Sequence, residues 1–263
     1  MEHDAREVVR FARLMPMSRP ATAFLCFGLM GLAACGTSEA SSPGSTTAPE
    51  AAPVPTIGIG SPVGQISGES EVRELDMIDV ETIVMIGDSI TTAATAALEE
   101  QFDDLGYDDV TIVSQPSKRM AVTFGDNTSG AEIAEFIAAE ADDDIDPASQ
   151  LWVVALGTND IPQYGDVGDV MDAIDEVLDP IPDDAPLIWI NTYFGKFVDE
   201  TERVNEAIDR VIGERENSVV GRWDEVAPED GVLTNDLVHP RPSGNIVFAS
   251  LVTDTVADFL QLS

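Results

Sequence analysis

Hydrophobic residues from about residue 80 onward form short, nearly continuous runs, and the runs are separated by longer stretches with helical spacing of apolar positions. The short runs have the length and composition of strands buried on both faces, and they lie at 82–86, 109–114, 151–156, 187–191 and 218–221. The longer stretches predict helices, and they lie at 90–104, 129–141, 167–178, 200–214 and 243–261.

This alternation of strands and helices predicts the fold class. Continuous apolar strands joined by helices favour a parallel sheet that is covered on both faces. We therefore expect an α/β domain of the three-layer, doubly wound, flavodoxin-like kind, with a five-stranded parallel sheet. Three tryptophans fall in or beside the predicted strands and are expected in the core rather than on a sugar-binding surface: Trp152, Trp189 and Trp223.

The N-terminal part of the chain has a different pattern. Several arginines precede an apolar run that ends with Leu-Ala-Ala followed by Cys35. The run is short for a membrane span and fits a secretory signal. Its end resembles the lipobox of bacterial lipoproteins, which implies cleavage before Cys35 and a diacylglycerol on the sulfur. Residues 1–34 are therefore predicted to be a lipoprotein signal peptide, and the alternative is a plain signal peptide with a cysteine at this place.

The segment between Cys35 and the first predicted strand is rich in serine, threonine, proline, alanine and glycine, and it lacks any sustained periodicity. Such a composition is typical of a semi-extended tether. We interpret residues 35–78 as a lipidated cysteine with its tether and residues 79–263 as the folded domain. This organisation predicts an extracytoplasmic protein that a lipid anchor attaches to the cell membrane.

The charge balance excludes some partners. The chain has 49 acidic and 13 basic residues and a net charge of −36, so its surface repels nucleic acid, which we exclude as a partner. Removal of the signal peptide leaves one cysteine, which rules out a disulfide within the mature chain. No cluster of histidine and cysteine suggests a catalytic metal, and we expect no cofactor.

Polar residues follow the ends of several predicted strands. Ser89 comes after the first strand, Asn159 after the third, and Asp236 with His239 lie on the loop before the last helix. Because the carboxyl ends of parallel strands meet at one edge of the sheet, we expect these side chains to converge there.

This set of residues is suited to acyl transfer. A serine hydroxyl is a poor nucleophile unless a base removes its proton, and His239 carries the only imidazole left after signal cleavage, since the other is His3. Asp236 can orient the His239 ring. The backbone N–H of Ser89 at a helix N-terminus and the amide of Asn159 can stabilise an oxyanion. The alternatives are a helix N-cap for Ser89 and a structural loop role for His239.

Three motifs, in this order along the chain, resemble the first, third and last blocks of the SGNH/GDSL hydrolase superfamily, and they are GDSI, GTND and DLVH. The resemblance covers roughly residues 80–261. It implies Ser89 as the nucleophile and Asn159 as an oxyanion donor. It also implies Asp236 and His239 as the rest of the triad. A G-x-S-x-G elbow is absent from the sequence, which argues against the ordinary α/β-hydrolases.

One block departs from the family pattern. The family has a glycine after the second strand whose backbone N–H serves the oxyanion, whereas residues 114–122 contain no glycine and Arg119 is the positional match. SGNH domains linked to cell-wall O-acetylation resemble this chain in having an arginine there. We predict that the backbone N–H of Arg119 completes the oxyanion hole. The cations of Lys118 and Arg119 either meet an anionic envelope polymer or pair with Asp88 or Asp160.

The predicted function is a lipid-anchored, extracytoplasmic serine esterase with an acyl-enzyme mechanism. Its expected substrates are O-acyl esters, acetyl esters above all, of envelope glycans or of small molecules. The alternatives are an O-acyltransferase on cell-wall glycans, a thioesterase, and a surface lipoprotein that uses the same fold for binding without catalysis.

Overall fold

The structure is a computed structural model of the chain that describes residues 80–141 and 146–261. The predicted signal peptide, the lipobox Cys35 and the tether at 35–78 lie outside the described residues, so these three interpretations stay predictions.

Within the described residues, five strands form one sheet: β1 (Thr82–Gly87), β2 (Val110–Ser114), β3 (Gln150–Ala155), β4 (Leu187–Ile190) and β5 (Ser218–Gly221). The strands pair in the order β2-β1-β3-β4-β5, and every pair is parallel. The predicted α/β fold with a five-stranded parallel sheet is thus confirmed. The predicted strand limits differ from the observed ones by one residue at most.

The helices of the described part are α1 (Ser89–Asp104), α2 (Gly130–Glu140), α3 (Val167–Leu178), α4 (Val198–Glu214), α5 (Trp223–Val226) and α6 (Pro242–Phe259), with one 3₁₀ turn at Pro147–Ser149. The five long helices were predicted to within two residues at each end. The pattern missed α5, since four residues are too few to show a helical period. None of the helices in the described ranges has both the length and the apolar character needed to cross a membrane.

Two hydrophobic cores lie on opposite faces of the sheet. Successive residues of β1 alternate between them, since Ile83 and Met85 belong to one core and Val84 and Ile86 to the other. Helices α2, α3 and α4 cover the core that holds Val84, and helices α1 and α6 cover the opposite one. All three tryptophans have at most 1% of their surface exposed, which confirms their predicted place in the core.

The strand order creates a crevice at the carboxyl end of the sheet. The chain leaves β1 toward the face covered by α1 and leaves the neighbouring β3 toward the face covered by α3. The two following loops therefore separate above the sheet, and ligands of doubly wound folds bind at such switch points. Ser89 follows β1 and Asn159 follows β3, so both sequence candidates lie at this crevice.

Candidate active site

Ser89 is the first residue of α1, directly after a tight turn from β1. Asp88 caps the helix, because its Oδ1 accepts a hydrogen bond of 2.9 Å from the Ile90 N–H. The alternative that Ser89 is the N-cap is therefore wrong. Gly87 permits the turn, since a Cβ at this position would lie 2.0 Å from the Thr91 Oγ1. The turn leaves the Ser89 side chain half-buried at the positive end of the helix dipole.

A hydrogen-bonded chain links the three residues that were predicted as a triad. The Ser89 Oγ lies 3.1 Å from the His239 Nε2. The His239 Nδ1 lies 2.8 Å from the Asp236 Oδ2. If Nδ1 carries the proton that Asp236 accepts, then Nε2 has a free lone pair for the serine proton. The structure thus brings these three residues together, although 150 positions separate Ser89 from His239.

Asp236 is held as an acceptor by its own loop. Its Oδ1 accepts hydrogen bonds from the Thr234 hydroxyl at 2.7 Å and from the N–H groups of Val238 and His239, both at 3.0 Å. Partial burial raises the pKa of Asp236, but hydrogen bonds from His239, Thr234 and the two N–H groups outweigh it and hold the pKa well below its usual range. Asp236 therefore remains ionised and can stabilise an imidazolium.

Hydrogen bonds close the base and fix the tip of the loop that carries Asp236 and His239. The Thr234 N–H donates to the His239 carbonyl at 2.9 Å, which closes the loop. Leu237 has a φ of 63°, a left-handed conformation, and its carbonyl accepts a hydrogen bond of 2.8 Å from the Gly195 N–H. Sequence reasoning missed Thr234, although its place two residues before an aspartate is typical of side chains that brace a turn.

Asn159 connects the first and second loops of the site. Gly157 makes the turn after β3 with a φ of 124°, a conformation that favours glycine. The Asn159 Nδ2 donates to the Asp88 Oδ2 at 3.2 Å and to the Lys118 carbonyl at 3.0 Å. Both amide hydrogens thus have acceptors within the protein. An oxyanion that binds Asn159 must take one of these hydrogens from its present acceptor.

The side chain of Arg119 is engaged beside the site. Its Nε donates to the Asp160 Oδ1 at 3.2 Å, and its guanidinium lies 5.6 Å from the centroid of the Tyr164 ring. Of the two predicted carboxylate partners, Asp160 is the one that pairs with Arg119. Only 14% of the Arg119 side chain is exposed, so this cation is largely withdrawn from solvent.

Lys118 fastens the same loop to the segment that precedes α2. Its Nζ donates to the Thr128 carbonyl at 2.8 Å and to the Thr128 hydroxyl at 3.1 Å, and only 1% of the residue is exposed. Burial lowers the pKa of Lys118 to about 8, and the Glu132 carboxylate partly offsets this. Both alternatives for Lys118 are therefore wrong, because the residue is buried away from any anionic polymer and its ammonium binds Thr128 rather than Asp88 or Asp160.

Two buried carboxylates brace the site. Burial raises the pKa of Asp88 to about 6, although the hydrogen bond from the Ile90 N–H lowers it. Burial likewise raises the pKa of Asp160 to about 6 against the hydrogen bond from the Met120 N–H and the charge of Arg119. Their oxygens accept hydrogen bonds from N–H groups of neighbouring loops, so both residues hold these loops in place. Within residues 80–141 and 146–261, no group of histidine, cysteine, aspartate and glutamate side chains is arranged to hold a metal ion.

Comparison with known proteins places the chain in a family. Residues 83–252 match the family described as GDSL-like lipase/acylhydrolase. No curated protein matches the chain in sequence.

Several solved structures share the fold. The catalytic domain of peptidoglycan O-acetyltransferase A from Streptococcus pneumoniae, solved with a methylsulfonyl adduct, is 20% identical with a TM-score of 0.50, over 69% of this chain and 93% of that one. An inhibitor-bound aryl esterase of M. smegmatis is 13% identical with a TM-score of 0.52, over 68% and 100%. A carbohydrate acetylesterase family member from Sinorhizobium meliloti is 14% identical with a TM-score of 0.53, over 69% and 100%.

At these identities the structural likeness establishes the fold, and the family match adds the class of chemistry. The match spans more than half of the 263 residues and includes the GDSI, GTND and DLVH motifs. The resemblance to SGNH/GDSL hydrolases is confirmed, and with it the prediction of an enzyme rather than a binding protein. The chain belongs to the GDSL-like lipase/acylhydrolase family and is a serine hydrolase or acyltransferase.

Proposed function

We propose that this enzyme is an extracytoplasmic serine esterase that removes small acyl groups, acetyl above all, from O-acyl esters of envelope glycans or of small molecules. Ser89, His239 and Asp236 form its catalytic triad. The observation that carries the proposal is the hydrogen-bonded chain from the Ser89 Oγ through the His239 ring to the Asp236 carboxylate. A hydroxyl in such a chain gains the base that it needs to become a nucleophile.

Acylation begins when the Ser89 Oγ attacks the ester carbonyl and the His239 Nε2 accepts the hydroxyl proton. The electron pair of the carbonyl bond moves to its oxygen, and a tetrahedral oxyanion forms. The imidazolium, stabilised by ionised Asp236, then gives its proton to the leaving alcohol oxygen as the C–O bond breaks. The acyl group remains on Ser89 as an ester.

The oxyanion hole combines three donors in this proposal. The Ser89 N–H lies in the first turn of α1, where the helix dipole adds partial positive charge. The Arg119 N–H makes no hydrogen bond to another residue of the described ranges, so it is available to the substrate. The Asn159 amide joins them by turning one hydrogen from the Lys118 carbonyl or the Asp88 carboxylate toward the oxyanion.

Deacylation decides between hydrolysis and transfer. Water that enters beside His239 loses a proton to Nε2 and attacks the acyl carbonyl, which releases the acid and restores Ser89. A glycan hydroxyl in the same place accepts the acyl group instead, and this is the second candidate. The arginine at position 119 favours it, because SGNH domains linked to cell-wall O-acetylation resemble this chain there, and the fold of a peptidoglycan O-acetyltransferase is similar.

Labelling with a fluorophosphonate tests the nucleophile. The Ser89 oxygen displaces fluoride from phosphorus, so we expect one added phosphonyl group by intact mass spectrometry and loss of esterase activity in step with labelling. Ser89→Ala should take up no label. Ser114→Ala is the matched control, because Ser114 lies at the end of the neighbouring strand β2 and its hydroxyl bonds to Thr92. Labelling of the Ser89→Ala protein at the rate of the parent would overturn the proposal.

Product analysis separates the two candidates. The enzyme is given an activated acetyl ester together with glycan oligosaccharides, and free acetate and acetylated glycan are measured over time. An esterase releases mostly acetate at every acceptor concentration. If acetylated glycan exceeds free acetate and rises with acceptor concentration, the enzyme is an acyltransferase and the order of the two candidates is reversed.

A further inference from the structure

Asp160 lies next to the proposed oxyanion donor Asn159, and its side chain has 0% exposure. The turn that carries it is rigid, since the Asp160 N–H donates to the Gly157 carbonyl at 2.9 Å and the Gln163 N–H donates to the Asp160 carbonyl at 2.8 Å. A buried carboxylate is costly unless strong donors satisfy it. The identity of its donors therefore shows which part of the molecule it serves.

Both oxygens of Asp160 bind the loop after β2. The Oδ2 accepts a hydrogen bond of 3.1 Å from the Met120 N–H, and the Oδ1 accepts one of 3.2 Å from the Arg119 Nε. The Arg119 guanidinium also lies 5.6 Å from the centroid of the Tyr164 ring. The Asp160 carboxylate thus binds the side chain of Arg119 and the backbone of the next residue, Met120.

Almost all backbone polar groups of the two peptide units that flank the Arg119 Cα form hydrogen bonds. In the first unit, the Lys118 carbonyl accepts from Asn159 at 3.0 Å. In the second, the Arg119 carbonyl accepts from the Gly130 N–H at 2.8 Å, and the Met120 N–H donates to Asp160. The Arg119 N–H is the exception, since it has no acceptor within the described residues. These hydrogen bonds hold in place the peptide unit that carries the Arg119 N–H.

We propose that Asp160 is a positioning residue, which through its ion pair with Arg119 and its hydrogen bond to Met120 sets the Arg119 N–H for the oxyanion. Asp160 does not touch the substrate in this proposal. The Asp160 carboxylate and the Arg119 guanidinium together form a brace that holds the loop after β2. The inference rests on the proposed function of Ser89 and the oxyanion hole. It also explains how an arginine can stand where the family has glycine. The ion pair with Asp160 holds the Arg119 side chain and, through it, the loop backbone.

Steady-state kinetics on a small neutral ester test the brace from both ends. Loss of an oxyanion donor typically costs on the order of 10²–10³-fold in turnover, so a misplaced donor should cost about 10-fold or more. We expect Asp160→Asn and Arg119→Ala each to lower kcat by that factor and to leave KM within about threefold. Arg119→Lys, which keeps the charge, should recover part of the loss. Arg119→Pro, which lacks the N–H, should cost the most.

The control is Arg203→Ala. Arg203 is a second arginine beside Tyr164, where it donates to the Tyr164 carbonyl at 3.2 Å, but within the described residues it forms no hydrogen bond or ion pair with residues 118–120. We expect its kcat to equal that of the parent. Thermal unfolding of each variant establishes that the protein tested is folded, and Arg119→Ala gives a measurement from the more exposed end of the brace if Asp160→Asn does not fold.

Two further measurements exclude a merely structural role. A trifluoromethyl ketone adds the Ser89 Oγ to its carbonyl carbon, so its inhibition constant measures stabilisation of an oxyanion. Across the variants this constant should rise in proportion to the fall in kcat/KM. The double variant Asp160→Asn with Arg119→Ala should lose no more than the worse single variant, because both changes remove the same brace.

Folded variants with parental kcat, a loss confined to KM, or additive losses in the double variant would each overturn the positioning role. Ser89→Ala tells this failure apart from failure of the proposed function. If Ser89→Ala is inactive while the brace variants are unaffected, only the inference about Asp160 fails. If Ser89→Ala keeps its activity, the proposed nucleophile fails as well.

Discussion

His239 is hydrogen-bonded on one side to the Ser89 hydroxyl and on the other to the Asp236 carboxylate. Removal of the imidazole leaves the serine proton without an acceptor, so we expect His239→Ala to lower kcat by on the order of 10³-fold or more. Asp236→Asn keeps a ring that can accept the proton, and it should cost less. Near-parental ester hydrolysis by folded His239→Ala, measured after purification free of host esterases, would assign the base to another residue.

The raised pKa values of Asp88 and Asp160 predict how stability depends on pH. Folding raises each pKa from 3.8 to about 6, so the folded state binds these protons more tightly than the unfolded state does. Their stabilising effect is complete below about pH 4 and is lost as the pH rises to about 6. The lowered pKa of Asp236 acts below this window, where its stabilising effect is lost as the pH falls. The free energy of unfolding should therefore decrease between pH 4 and pH 6.

Chemical denaturation at several pH values measures this slope, which reaches at most about 1.4 kcal/mol per pH unit for each group. Asp88→Asn should show a shallower decrease than the parent, whatever its stability at a single pH. Asp254→Asn, at an exposed position on α6, controls for the loss of a charge. Identical slopes for the parent and Asp88→Asn would mean that burial of Asp88 does not perturb its protonation.

At the scale of elements, the turn from β1 into α1 depends on the close approach of Gly87 to Thr91. Thr91 is fully buried and β-branched, so it cannot move away from an added Cβ at 2.0 Å. We expect Gly87→Ala to lower the free energy of unfolding by about 1–3 kcal/mol, as overpacking does. Gly213→Ala is the matched control, because Gly213 lies in α4 with open space around its Cβ position and should gain up to about 1 kcal/mol. Denaturant titration of both variants checks the prediction, and a Gly87→Ala protein as stable as the parent would contradict it.

The secondary structure could be predicted well because the central strands β1, β3 and β4 are nearly continuous buried apolar runs and the long helices repeat apolar residues at helical spacing. The candidate triad could also be predicted, since parallel strands bring their carboxyl ends to one edge. The contacts of the loop after β2 could not be predicted from the sequence. Arg119 pairs with Asp160 from 41 positions away, and the sequence left Asp88 as an equal partner. The burial of Lys118 depends on Thr128, whose place follows from the path of the loop rather than from any periodicity.

At the scale of the whole molecule, the chain carries 49 acidic and 13 basic residues, so the repulsion between like charges exceeds the attraction between opposite ones. Salt screens this repulsion, since the Debye length falls from about 10 Å at 0.1 M to about 3 Å at 1 M. We expect the thermal midpoint to rise as NaCl increases over this range at pH 7. The rise should be smaller at pH 4, where more carboxylates are protonated. A midpoint that falls with salt at pH 7 would show that attractive ion pairs outweigh the net repulsion.

The anchor is the remaining proposal at this scale, and it concerns residues that precede the described part of the chain. If Cys35 carries the lipid, a diacylglycerol holds the enzyme at the membrane, while the segment at 35–78 gives the catalytic domain reach toward envelope substrates. We expect the parent protein, produced in a bacterial host that lipidates lipoproteins, to partition into the detergent phase of a two-phase separation. Cys35→Ser should move to the aqueous phase or accumulate as an uncleaved precursor, since the sulfur is the acceptor of the lipid.

The matched control is Cys26→Ser, which changes a cysteine inside the predicted signal and should partition like the parent. Mass spectrometry of the N-terminal peptide distinguishes the cleaved, lipidated form from the precursor. A Cys35→Ser protein that is cleaved and still found in the detergent phase would mean that another part of the chain holds it at the membrane.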